Sequence, residues 1–298
     1  MKTTLRASVL GSLLLLGACS APEASGLTEE ELDALDPNGH RPVSTTVALT
    51  EMTDALDIDL IGQPSSYKTL PKRYEGVPEV GNPMSPDMEL VLALQPKRLL
   101  SVETLRYDLE DVFEKAGVDT HYANLKSIDR MLEEIDALGE TYDRDERAKA
   151  LRAQFEDVLS RIETAVAGKE KPRVLILMGV PGSYLIATEQ SYIGDLVRLA
   201  GGENVFADET VDYIAANTEF MQQTNPDIIL RAAHGMPDEV VDMFDEEFRT
   251  NDIWHHFDAV KNERVYDLEE RIFGMTARLA AEEALETMYR YLYEEELR

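Results

Sequence analysis

Three side chains carry the most suggestive chemistry in this 298-residue chain: the lone cysteine Cys19, the methionine Met84 and the histidine His234. With a single thiol no internal disulfide can form, so Cys19 needs another explanation. Met84 stands in the string Gly81-Asn82-Pro83-Met84-Ser85-Pro86-Asp87, where Ser85 is expected to cap a helix, Pro86 to open it and Asp87 to fill its first turn. That places the thioether at the mouth of a lobe. His234 follows an apolar strand expected at Asp227 to Ala232 and precedes Gly235, with Pro237 and Asp238 opening the next helix. It should emerge at the carboxyl end of a sheet, where open α/β folds bind their ligands. Hard cations prefer oxygen, whereas thioether and imidazole suit softer metals. Taken singly, a methionine at a helix entry is commonly packing and a loop histidine commonly solvated, so the pair gains meaning only from the fold that positions it. His255 and His256 beside Trp254 read as surface and packing residues. There is no nucleophile motif, phosphate loop or HExxH zinc site, and the abundant acidic pairs read as solvated surface, so no enzyme is expected.

The elements that must position these residues begin after a leader. Lys2 and Arg6 precede an apolar run from Val9 to Leu16, which reads as a secretory signal over residues 1–18. The run is too short to cross a bilayer, which takes about 20 residues. Leu16-Gly17-Ala18-Cys19 resembles a lipobox, so Cys19 is expected to carry diacylglycerol and palmitate-type acyl chains that hold the protein on the extracytoplasmic face of the cell membrane. Residues 19–42, with Ser, Gly, Pro and an acidic run, read as a solvated tether. A formal net charge of −29 excludes a nucleic-acid backbone as partner and argues against adhesion to anionic lipid, leaving the anchor as the membrane contact.

From Val43 onward, short β-rich runs alternate with helical periods, which predicts an α/β protein with parallel central sheets. Strands are expected at Ser44 to Leu49, Asp57 to Ile61, Arg98 to Val102 and His121 to Asn124, and then at Arg173 to Met178, Asp227 to Ala232 and Arg264 to Tyr266. Helices are expected between them. The stretch from Asp143 to Ala167 keeps a helical period through Leu151, Phe155, Val158, Ile162 and Val166, long enough for one helix of about 37 Å running beside both halves. The organisation is therefore an N-terminal lobe at 43–142, a connecting helix at 143–168 and a C-terminal lobe at 169–298. A weak internal repeat supports two lobes: Glu89 to Pro96 and Glu219 to Pro226 share the same spacing ahead of an apolar strand.

The chain at this point resembles the class III substrate-binding proteins of ABC importers, two Rossmann-like lobes joined by one long helix with a ligand cleft between them. The likeness extends over nearly the whole mature chain. Within that family it is most similar to the haem-receptor lipoproteins of the IsdE type, through Thr45-Thr46-Val47-Ala48-Leu49-Thr50, Lys68-Thr69-Leu70-Pro71-Lys72-Arg73-Tyr74, the Met84 string above, His234-Gly235-Met236-Pro237, Asn251-Asp252-Ile253-Trp254, and Val260-Lys261-Asn262 through Asp267-Leu268. The resemblance implies haem as transported ligand, with Met84 and His234 from opposite lobes as axial ligands of its iron; methionine with histidine is an established pairing. It also implies haem contacts at Val47 and Ala48, at the end of the first strand, and at Ser66 and Tyr67 after the second, where backbone N–H groups could take the propionates. Core packing explains Val47 and Ala48 equally well. Glu89 and Glu219 would be the knobs that meet permease arginines. The implied partners are haem, an ABC permease and a haem-donating surface protein. A ferric siderophore or a corrinoid is the alternative ligand on the same fold, and a free-metal receptor or a haem-modifying enzyme is a third reading.

Overall fold

The computed structural model describes residues 27–297, so the leader and Cys19 lie outside it. Its first helix, α1 (Glu29–Leu35), falls inside the stretch expected to be a solvated tether. Thr28 and Glu31 cap it reciprocally, and Leu32 is buried in a cluster with Val43, Ile61, Val91 and Leu99. One leucine on a well-capped turn thus fastens the end of the tether to the lobe.

In the first half, β1 (Pro42–Ser44) leads to α2 (Val47–Ala55), then a hairpin of β2 (Gly81–Asn82) and β3 (Ser85–Pro86), α3 (Met88–Ala93), β4 (Arg98–Val102), α4 (Arg106–Ala116), β5 (Asp119–Ala123) and α5 (Ile128–Thr141). Strands β1, β4 and β5 pair in that order, all parallel. On the free side of β1, Gly62 bridges Val43 and Glu79 bridges Gln63, both in parallel. The lobe is therefore a row of parallel extended segments, the outer two only a bridge long. The strand expected at Ser44 to Leu49 ends at Ser44, and Val47 and Ala48 open α2 instead. The threonine-rich run favours a strand by propensity, but Ser44 Oγ and Thr50 Oγ1 both donate to the Thr46 carbonyl, at 3.0 and 2.9 Å, and turn the backbone into a helix. The strand expected at Asp57 to Ile61 is likewise displaced toward 61–63, because Asp57 turns the chain at φ +61°.

Helix α6 (Asp145–Val166) joins the halves and is about 33 Å long. It starts two residues later than expected, since Asp143 takes φ +56° between α5 and α6. A Cβ at Gly139 of α5 would lie 2.6 Å from the Ala148 Cβ, so glycine is what lets these two helices close on one another.

The second half contains β6 (Arg173–Val180), β7 (Ser183–Ala187), α7 (Tyr192–Leu199), β8 (Glu203–Asn204), β9 (Tyr213–Ala215), α8 (Thr218–Thr224), β10 (Ile228–Ala233), α9 (Pro237–Thr250), α10 (Asp258–Lys261), β11 (Val265–Leu268) and α11 (Ala281–Tyr293). Strands β11, β10 and β6 run parallel, with β8 parallel to the start of β6, but β7 and β9 are antiparallel additions. The sheet is mixed rather than wholly parallel because Val180 and Ser183 pair across a two-residue turn containing Gly182 at φ +83°.

The repeat is structural. Asp87 and Asn217 cap α3 and α8 through their side chains, Gln95 and Asn225 take φ +50° and +41° before the prolines, and β4 and β10 follow. The largest apolar cluster runs from Leu49 and Leu100 through Leu132, Ile135, Phe155 and Ile162 to Ile176, Leu230 and Leu285, without a break between lobes. Among the described residues no helix is long and apolar enough to cross a membrane.

Candidate functional site

Parallel segments deliver their carboxyl ends to one edge. In the first lobe, β1 ends at Ser44 and hands the chain to Val47 and Ala48 at the start of α2, with Thr46 as cap. The neighbouring segment 61–63 runs into Ser65, Ser66 and Tyr67, and the next, 79–80, into the β2–β3 hairpin whose turn holds Met84. Adjacent strands lie about 4.8 Å apart, so these three loops stand side by side along about 10 Å of sheet edge. A backbone hydrogen bond from Ser65 to Gly81 O, 2.8 Å, ties the second loop to the third.

Met84 itself belongs to the hairpin turn and not to a helix entry. The cap of α3 is Asp87, whose carboxylate accepts from the N–H groups of Glu89 and Leu90, while Ser85 and Pro86 form β3. The Met84 N–H donates to Asn82 Oδ1 at 2.8 Å, an Asx turn that fixes the backbone and leaves the side chain 61% exposed. A Cβ on Gly81, at φ +93°, would stand 2.9 Å from the Asp87 amide, so the close turn requires glycine.

In the second lobe, β10 and β11 end together. His234 is exposed, follows β10 as expected, and donates its backbone N–H to Gly179 O of β6 at 2.9 Å. Glu270 follows β11 two residues after Leu268, which pairs with Ala232, as His234 follows β10 two residues after Ala232. Glu270 is the contact that sequence reasoning missed. Its carboxylate accepts from the Tyr67 hydroxyl at 2.7 Å and pairs with Lys68 Nζ at 3.3 Å, across the lobes. Desolvation of the hydroxyl, helped by the carboxylate beside it, pushes the Tyr67 phenol up to about 12. The carboxyl-end rule applied to β11 as it was to β10 would have pointed to this segment.

That clasp joins the Ser66–Tyr67 loop, itself tied to the Met84 hairpin by the Ser65–Gly81 hydrogen bond, to the segment that follows β11. Glu51 of α2 pairs with Arg278 of the second lobe nearby. Elsewhere between the lobes, the Ile128 N–H at the start of α5 donates to Asp195 of α7, 2.9 Å, Ala277 N–H donates to Leu125 O, 2.7 Å, and Lys126 pairs with Asp212 at 2.8 Å. The carboxyl-end edge of the first lobe thus carries the Met84 turn, the Tyr67 loop and the start of α2, and that of the second lobe carries His234 and Glu270, with Tyr67 and Glu270 in contact. A thioether and an imidazole are donors for a soft-metal centre, and the amides of a helix start are donors for anionic groups. Glu89 is exposed on α3, and Glu219 lies at the matching place on α8, at the second position of each helix.

A family model described as periplasmic binding protein matches residues 43–272. The chain is 45% identical over 285 residues, 95% of both chains, to the high-affinity heme uptake system protein IsdE of Staphylococcus aureus strain bovine RF122 / ET3-1. Among solved structures, an ABC transporter substrate-binding protein from Listeria monocytogenes EGD-e is similar at 57% identity and TM-score 0.82, covering 86% of this chain and 99% of its own. S. aureus IsdE complexed with heme is similar at 48% identity and TM-score 0.82, covering 86% of this chain and all of its own.

Proposed function

The chain belongs to the periplasmic binding protein family, and on that premise we propose that it holds haem in the cleft between its lobes, outside the cytoplasmic membrane, and passes it to an ABC permease. It performs no bond-making chemistry of its own. The observation that carries the reading is the meeting of two strand-end edges, one bearing Met84 and the other His234, fastened by the Tyr67–Glu270 contact. Met84 Sδ and a His234 ring nitrogen would take the two axial positions of the iron, a pairing that suits haem and not a hard cation. Amides at Val47, Ala48, Ser66 and Tyr67 would receive the propionates, with the helix α2 dipole adding to them. Placing Val47 and Ala48 at a helix start supports that role for their amides, since the first N–H groups of a helix have no partner within it, while the Ala48 side chain packs in the core.

Cys19 would carry the acyl anchor, Glu89 and Glu219 would meet the permease one on each lobe, and a surface protein would donate the haem. The test is spectroscopic. The chain from Ser20 onward is titrated with haemin as wild type, Met84→Ala and His234→Ala. A Soret band saturating at one haem per chain, altered in both variants, supports the reading. No stoichiometric complex, or an unchanged spectrum in both variants, overturns it and makes ferric siderophores and corrinoids the next ligands to titrate.

A further inference from the structure

Met236 occupies a backbone position that ordinarily selects glycine or asparagine. It caps α9 at φ +48° and ψ +58°, in the left-handed region, directly after Gly235 at φ +66°. Residues other than Gly, Asn and Asp avoid that region because the Cβ crowds the following carbonyl. Met236 also makes no side-chain cap, so it gives the first amides of α9 no acceptor. This chain places capping side chains readily elsewhere: Asp87, Ser127, Ser191 and Asn217 all accept from the first turn of their helices. Nor does packing offset the strain, for the Met236 side chain is 56% exposed.

A strained backbone, a forgone cap and an exposed apolar side chain together mark a residue retained for contact with something else. Its place says what that is. Met236 stands two residues beyond His234, on the same short loop at the carboxyl end of β10. We infer, resting on the reading of haem bound through His234, that Met236 lies against the porphyrin on the imidazole side and keeps water from the His234–iron bond. It is a residue that sets how long haem stays, and not an iron ligand. An unbranched thioether suits this, being apolar and adaptable against an aromatic face.

Haemin-loaded wild type, Met236→Asn and Met236→Leu are mixed with excess apomyoglobin and haem loss is followed at the Soret band, while the haem-free proteins are melted. Met236→Asn relieves the left-handed strain, so its Tm rises by about 3 °C, yet it releases haem about tenfold faster. Met236→Leu keeps the apolar wall, releases haem within about twofold of wild type, and gains no Tm. Haem release from Met236→Asn at the wild-type rate overturns the inference, as does equally fast loss from both variants. A Met236→Asn chain that melts no higher than wild type removes its ground. If wild type itself forms no haem complex, the haem reading fails and this inference falls with it; if wild type binds and only the Asn variant behaves as wild type, the inference alone fails.

Discussion

The two proposed iron ligands are mounted in opposite ways. His234 leaves the end of a strand flanked on both sides by parallel neighbours, with its amide tied to β6, so its backbone is set by a strand buried along its whole length. Met84 hangs from a two-residue hairpin and is held by one Asx turn. A site built this way has one rigid donor that fixes where the iron sits and one adaptable donor that closes on it. Rigid elements position a ligand more tightly than loops do, so the energetic weight should fall on the histidine.

The largest expected effect is His234→Ala, which should weaken haem binding about 100-fold, or about 2.7 kcal/mol, by competition titration. Gly81→Ala should come next: strain at φ +93° and the clash with the Asp87 amide should destabilise the hairpin by about 2 kcal/mol, read as a lowered Tm, and misplace Met84. Met84→Ala, which spares the turn, should cost only about tenfold in affinity, near 1.4 kcal/mol. Equal losses from the two ligand variants would break the asymmetry, and a larger loss from Met84→Ala would reverse it.

Smallest is Glu270→Gln, which weakens a clasp that is partly exposed and so contributes a few tenths of a kcal/mol. Its sharper readout is pH. The Tyr67 phenol is raised, so the clasp contributes fully below pH 10, the ordinary tyrosine value, and is lost as pH rises through about 12. Phenolate absorbance in Glu270→Gln, with Tyr67→Phe as reference, should show Tyr67 ionising closer to 10. An unmoved titration would mean that the carboxylate does not govern that hydroxyl.

Much of the C-terminal mount was legible in the sequence because a run such as Ile228-Ile229-Leu230 is unambiguous, and Gly235 and Pro237 then punctuate the chain just after His234. The N-terminal mount was less so. Thr45-Thr46-Val47 has the composition of a strand, and only buried hydroxyls meeting one carbonyl make it a helix start. Ser85 and Asp87 are both good caps, and the choice between them was made by hairpin pairing through Gly81 and Pro86, which local spacing does not encode. Strand β7 went unseen because it lies beyond the strand expected at Arg173 to Met178, across a tight turn at Pro181 and Gly182, and β9 because three residues, Tyr213–Ala215, make no period. Leu32 was discounted as part of a tether because a single apolar residue makes no period. Glu270 was invisible as a contact, since its hydrogen-bond partner Tyr67 lies 203 residues away.

The apolar cluster that runs unbroken from Leu49 through Ile162 to Leu285 leaves no seam at which one half could melt while the other stands. Heating should therefore meet a single endotherm, with calorimetric and van't Hoff enthalpies in agreement. An occupant of the cleft would raise the whole of that endotherm at once: at a free concentration 100 times its Kd it adds about 2.7 kcal/mol to the entire chain.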